Sequence, residues 1–216
     1  MKVPFDSHSF WGAQSPLSTM VGGSLLILAS SRFSFALVAA VSLLWVYCLT
    51  VLVIFAARSI LPQKGMPGLF VFLSAIIGSL YLLLLSFFSP LLVLDTFFFL
   101  ILSPVCLIAS GLLERIWPEN GSAKLNLETV LVSSFSEAAV LGLLILALSL
   151  VREPIGFAEL SLPGGAQGIA AFFSPEEEGF FPVRIAASSA GALILLGYGI
   201  TLFKRLRGQY LHGEEH

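Results

Sequence analysis

The sequence predicts an all-α integral membrane protein with six transmembrane helices, arranged as two inverted repeats of three. Hydrophobic residues make up 57% of the 216 residues and charged residues only 11%, which is too little charge for the surface of a soluble domain. Several apolar runs reach the length of about 20 helical residues that crosses the hydrocarbon. Because the backbone in lipid must satisfy its own hydrogen bonds, these runs are expected to be helices.

Six apolar segments are predicted to span the membrane. They cover roughly residues 16–31, 33–57, 67–88, 91–113, 127–151 and 181–203. The chain is therefore interpreted as one membrane domain over residues 1–216, with a first repeat at about 16–88 and a second at about 91–203. The amino-terminal segment has no basic region followed directly by an apolar run, so we expect no cleavable signal peptide.

The orientation is predicted from the Lys and Arg residues that flank the spans. Six crossings put both termini on one side, and that side carries eight of these residues: Lys2, Arg58, Lys64, Arg115, Lys124, Lys204, Arg205 and Arg207. The opposite side carries three: Arg32, Arg152 and Arg184. We therefore expect cytoplasmic termini in the inner (cytoplasmic) membrane, and an external connection over residues 153–179. No basic patch is large enough to indicate nucleic acid binding.

The two halves share features that indicate an inverted repeat. Spans two and five both end with an Arg followed by a Pro, and spans one and four both contain helix-weakening residues, at 22–24 (Gly-Gly-Ser) and 103–104 (Ser-Pro). Proline removes an amide donor, and paired glycines lower the cost of unwinding. Matching breaks of this kind meet near the midplane in many carriers. The alternative is that these residues serve ordinary helix packing.

Two residues are candidates for chemistry within the membrane. Cys106 follows Pro104 by two residues, so its thiol would lie beside the break, where it could ligate iron or another soft metal. Glu137 lies about ten residues into span five, and an ionisable side chain at that depth is by default a candidate for a cation or proton path. The alternatives are a packed cysteine and a hydrogen-bonded or protonated glutamate at a helix contact.

Four stretches of the chain resemble one family of membrane proteins. They are the Gly- and Ser-containing start at 22–32, the third span between Pro67 and Pro90, the segment 104–111 around Cys106, and 150–157, where Arg152, Glu153 and Gly156 resemble an Arg-Glu-x-x-Gly motif. The family is that of the six-span membrane subunits of the Rnf and Nqr electron-transport complexes, of the RnfE/NqrD type. The resemblance covers roughly residues 16–207.

This resemblance implies a subunit of an ion-translocating oxidoreductase complex rather than a stand-alone enzyme. In the family, an inverted sister subunit faces this one, and each contributes two cysteines to one intramembrane 2Fe–2S cluster that passes electrons across the membrane. Cys106 matches the second cysteine, whereas Ser24 stands where the family has the first. The small residues at 186–192 suit contact with another subunit. The alternatives are a structural or ion-conducting subunit without a metal, and an independent carrier of a small solute.

Overall fold

The structure, a computed structural model, describes residues 20–57, 66–110, 127–165, 168–173, 184–198 and 201. These residues form helices together with one β-hairpin. In chain order they are α1 (Met20–Ala29), α2 (Phe33–Ala57), α3 (Met66–Phe88), α4 (Pro90–Leu100), α5 (Leu102–Ala109), α6 (Leu127–Phe157), β1 (Leu160–Pro163), β2 (Ile169–Phe173), α7 (Arg184–Ala187) and α8 (Ser189–Tyr198).

Four helices within the described part of the chain are long and apolar enough to cross a membrane. They are Phe33–Ala57, Gly68–Phe88, Pro90–Ala109, which combines α4 and α5, and Leu127–Phe157. They correspond to predicted spans two to five. The bounds of span two agree with the prediction, but span five continues six residues beyond 151. Predicted spans one and six are represented by the shorter helices α1, α7 and α8.

The helix interruptions agree only in part with those predicted. Residues 22–24 lie within α1 and do not interrupt it, because glycine permits unwinding but does not force it. The interruption near Pro104 is present at Ile101, because Pro104 has no N–H for the Leu100 carbonyl and its ring crowds that turn. It is shallow, since Ile101 keeps helical angles (φ −61°, ψ −27°). An additional interruption, which the sequence did not predict, lies at Ser188 between α7 and α8.

The centre of the bundle is the pair α2 and α6, which make the most extensive contact between described elements. Gly142 of α6 lies against Ala40 of α2, and a Cβ added at Gly142 would lie 3.0 Å from the Ala40 Cβ. Association of helices in lipid depends on close van der Waals contact, which small residues permit. The absence of a side chain at Gly142 therefore sets how closely the two central helices approach.

Helices α3 and α5 pack against α2 and against each other. Gly78 of α3 faces Pro104, and a Cβ at Gly78 would lie 2.7 Å from the Pro104 Cγ. Two hydrogen bonds cross between helices: Tyr81 Oη donates to the Val38 carbonyl at 3.0 Å, and Ser42 Oγ donates to Ser103 Oγ at 3.0 Å. The proline that interrupts the fourth span is thus accommodated by a glycine on its neighbour.

The predicted external connection is partly helix and partly hairpin. Residues 153–157 complete α6, and β1 and β2 then pair antiparallel. The hairpin lies over the start of α2, where Ser161 Oγ donates to Ser34 Oγ at 3.2 Å, and Gly168 (φ 83°) lies against Leu91 at the start of α4. The starts of α2 and α4 and the end of α6 therefore share one end of the bundle, as alternating crossings require.

Gly78→Ala is expected to lower stability because its methyl group would overlap the Pro104 ring, which is held by the backbone and cannot rotate away. Overpacking of this kind typically costs about 1–3 kcal/mol. The matched control is Gly68→Ala on the same helix, where an added Cβ meets no atom within 4 Å. Thermal unfolding of the detergent-solubilised variants measures the difference. Equal midpoints for the two variants would contradict the described contact between α3 and α5.

Candidate functional site

The most polar buried group in the described residues is a pair of adjacent charges near the end of α6. Arg152 and Glu153 are 2% and 1% exposed, although both lie within a helix long enough to cross the membrane. Uncompensated charges at such places are expensive, so each must find partners within the protein. Because successive residues of a helix point about 100° apart, the two side chains reach different neighbours.

All five N–H donors of the Arg152 guanidinium are engaged by carbonyl and hydroxyl oxygens. Nε donates to the Ala186 carbonyl at 2.9 Å. Nη1 donates to the Ile27 carbonyl at 2.8 Å and to Ser30 Oγ at 2.9 Å. Nη2 donates to the carbonyls of Ala187 at 2.6 Å and Ser188 at 3.0 Å. The acceptors lie at the carboxyl ends of α1 and α7, where helices carry unbonded carbonyls and partial negative charge.

Glu153 acts in the complementary way at a helix amino end. Its Oε2 accepts a hydrogen bond from the backbone N–H of Phe33 at 2.7 Å, at the first residue of α2. A carboxylate at this position satisfies an unbonded donor and complements the positive end of the helix dipole. One dipeptide of α6 therefore holds the carboxyl ends of two helices and the amino end of a third.

Gly156 completes the arrangement one turn beyond Glu153. A Cβ at Gly156 would lie 2.9 Å from both the backbone nitrogen and the Cβ of Ala187, so only glycine lets α7 approach closely enough for its carbonyls to reach Arg152. Beside it, the Arg32 guanidinium carbon lies 5.1 Å from the centre of the Phe157 ring, a cation–π contact. We call Arg152, Glu153 and Gly156 the helix-end clamp.

The clamp has the chemistry of a structural element. Every donor of Arg152 is engaged, so the guanidinium has none left for an anionic ligand. The helix continues six residues beyond the predicted end of span five, and Arg152, which was expected as a charge that flanks the span, lies buried within it. The available signal was the apolar character that resumes after Glu153, at Ile155 and Phe157.

Cys106, the predicted metal ligand, lies in the core of the bundle. It is 0% exposed, and α5 packs against α1, α2 and α3. Ser24, the position of the missing first cysteine, is half-buried on α1. The helices α1 and α5, which carry the two predicted breaks, are in contact. Among the described residues, no three His, Cys, Asp or Glu side chains are close enough to hold a metal ion. Metal binding by Cys106 stays a prediction.

Glu137, the residue predicted for an ion path, lies on α6 and is half-buried. Its Oε2 is shielded from solvent. It stands ten residues after the start of α6, which places it about 15 Å along a helix of about 46 Å. The acidic residues 176–178 of the external connection lie outside the described residues. The ion path stays a prediction.

Comparison of the sequence and the structure with known proteins identifies no relative of this chain. No family model matches the chain, and neither any curated protein nor any solved structure is significantly similar to it. The resemblance to the Rnf and Nqr subunits therefore stays a prediction that depends on the quoted residues.

Arg152→Lys is expected to destabilise the protein although it keeps the charge. Lysine has three donors, so at least two of the five acceptors lose their bond to the cation, and hydrogen bonds to charged groups contribute about 1.5–3 kcal/mol each. The matched control is Arg32→Lys, because Arg32 is half-buried and lies over an aromatic ring. Thermal unfolding in detergent and protease sensitivity near residues 30 and 188 measure the effect. An Arg152→Lys variant as stable as the control would refute the five-bond clamp.

Glu153→Gln and Glu153→Ala separate the hydrogen bond of Glu153 from its charge. Glutamine retains an acceptor for the Phe33 N–H and loses only the interaction with the helix dipole, which is expected to cost about 0.3–2 kcal/mol. Alanine also leaves the amide unbonded and adds about 1–3 kcal/mol. Unfolding midpoints should therefore fall in the order wild type, Gln, Ala. A Gln variant as unstable as the Ala variant would mean that the charge, not the hydrogen bond, is what matters.

Proposed function

We propose that this chain is an integral membrane subunit of a heteromeric, ion-translocating electron-transport complex of the Rnf/Nqr kind, and that its own role in the complex is structural. The proposal includes six crossings in two inverted groups of three, with cytoplasmic termini in the inner membrane. The chain would then face an inverted sister subunit and stabilise the interface with it, while other subunits carry the redox groups.

The observation that carries the proposal is the helix-end clamp. Arg152, Glu153 and Gly156 are the three residues by which the end of α6 resembles the Arg-Glu-x-x-Gly motif of the family. Each of them has a separate structural role. Arg152 binds the carboxyl ends of α1 and α7, and Glu153 binds the amino end of α2. Gly156 has no side chain and therefore allows the close approach of α7. A motif whose three residues all act on helix ends supports a role in bundle architecture.

The environment of Cys106 supports the structural role over the redox one. Iron–sulfur clusters are normally held by four thiolates, and a cluster between two subunits needs thiols that both can present. Cys106 is fully buried within its own bundle, and Ser24 supplies no thiol from the other broken helix. Presentation of the Cys106 sulfur to a facing subunit would require α1, α2 or α3 to move aside.

Electron transfer through Cys106 is the second candidate, and one observation favours it. The fourth span is interrupted at Ile101, three residues before the proline and five before the cysteine. Interrupted helices are where membrane proteins build midplane sites. Contact between α5 and α1 also brings together the two segments that carry cysteines in the family.

An independent carrier for a polar solute is less well supported. Several buried hydroxyls of the described helices bond to carbonyls of their own helix, one turn earlier, instead of facing a common path: Ser74, Thr96, Ser110 and Ser134. Such back-bonding satisfies a hydroxyl in lipid without any ligand. Among the described residues, the buried guanidinium of Arg152 has no N–H donor left for a solute.

Purification of the tagged chain from native membranes in mild detergent tests the proposal. We expect other membrane subunits to co-purify, and we expect Cys106→Ala to leave the iron content, the electron paramagnetic resonance signal and the electron-transfer rate of the complex unchanged. Cys48→Ala, which alters a half-buried cysteine on α2, is the control. Loss of iron and electron transfer in the Cys106 variant alone, with the complex intact, would establish the redox role instead. A chain that purifies without other subunits would refute membership of a complex.

A further inference from the structure

Asp95 is an acidic residue in the apolar fourth span. It lies five residues after Pro90, so it is about 7.5 Å along α4 from its start. The start itself lies beneath the hairpin, because Gly168 contacts Leu91. Asp95 is exposed, and no residue that the structure describes donates a hydrogen bond to it or forms an ion pair with it.

The residues around Asp95 form one continuous exposed stripe on the helix. Leu91, Leu94 and Phe98 stand four before, one before and three after Asp95, and they are 51%, 75% and 81% exposed. Residues three and four apart share a helix face. We call these three residues and Asp95 the α4 stripe. The carboxylate therefore lies among large apolar side chains on the outside of the bundle.

A charged carboxylate among large apolar side chains is unfavourable on a surface that faces only lipid. Acidic residues in transmembrane segments almost always face protein or a water-filled cavity and have a partner. The side chain of aspartate is shorter than that of lysine or arginine, so it has less reach toward the aqueous boundary. Protein that covers the α4 stripe and supplies a counter-charge would compensate the carboxylate.

We propose that the α4 stripe is the docking surface for a transmembrane helix of another subunit that presents an Arg or Lys to Asp95. The inference rests on the proposed membership of a heteromeric complex and identifies the surface that serves it. The apolar residues of the stripe supply packing, and the ion pair sets the depth and the register of the partner helix, because truncation of a buried charge pair is strongly unfavourable.

A second copy of this chain does not suit the surface. A two-fold contact through the stripe would place the two Asp95 carboxylates near each other, since such an interface uses the same patch on both copies. The described transmembrane helices carry one basic residue within their spans, Arg152, and its five donors are engaged. The proposal therefore assigns the cation to a different polypeptide, and a crosslink from Phe98 to another segment of this same chain would refute it.

The test is photo-crosslinking in native membranes from a diazirine amino acid placed at Phe98. We expect a crosslink to one membrane protein, at a helix position within one turn of an Arg or Lys. Asp95→Asn should weaken that crosslink at least tenfold. Glu128→Gln, which neutralises an exposed carboxylate in the first turn of α6, should leave it unchanged. Exchange of the charges, Asp95→Arg with the partner's basic residue changed to Asp, should restore it.

The outcomes separate this inference from the proposed function. If other subunits co-purify but the Phe98 probe reacts only with lipid or with a second copy of this chain, the docking surface is refuted while the complex stands. An unchanged crosslink in the Asp95→Asn variant also refutes it. If no subunit co-purifies with the wild-type chain, both proposals fail. Unfolding midpoints of both variants that match the wild type show that a lost crosslink does not reflect misfolding.

Discussion

The arrangement of the bundle depends on the guanidinium of Arg152. The carboxyl ends of α1 and α7 converge on one point, where their carbonyls and partial negative charges would otherwise repel each other. Five hydrogen bonds from the planar guanidinium of Arg152 compensate the repulsion between the two helix ends. Once the two ends are fixed against α6, the adjacent Glu153 can reach the start of α2. The hairpin then rests on the same turn of α2 through Ser161 and Ser34.

The long apolar helices were predictable because their signals are local. The bounds of α2 follow from an apolar run that Arg32 and Arg58 enclose, and the interruption near Pro104 follows from the missing amide of proline. The end of α6 was not predictable in this way. A buried arginine and a flanking arginine look the same along the chain, and the acceptors that distinguish them lie 125 and 34 residues away.

The candidate site was predictable only in its residue types. Cys106 and Glu137 stood out because a cysteine can bind a metal and a glutamate can ionise within a span. Residue type alone, however, does not say which way a side chain points. The three clamp residues stood out as a motif, but their structural role was missed because the partners of Arg152 and Glu153 are mostly backbone carbonyls and an N–H, which every sequence has. The interruption at Ser188 was missed for the same reason. A run of small residues indicates a continuous helix that packs closely against a neighbour, whereas here the carbonyls of residues 186–188 accept hydrogen bonds from Arg152, more than 30 residues earlier in the chain.

The separation between Ile27 and Arg152 also constrains the order in which the chain is built into the membrane. During synthesis, the carboxyl end of α1 emerges 125 residues before the side chain that satisfies it, and α7 follows Arg152 by about 30 residues. Until α6 is inserted, the Ser30 hydroxyl is the donor that the chain supplies to the Ile27 carbonyl, and only water can take the place of Arg152 there. The first helix of the chain therefore obtains its full set of hydrogen bonds only after α6 has been inserted.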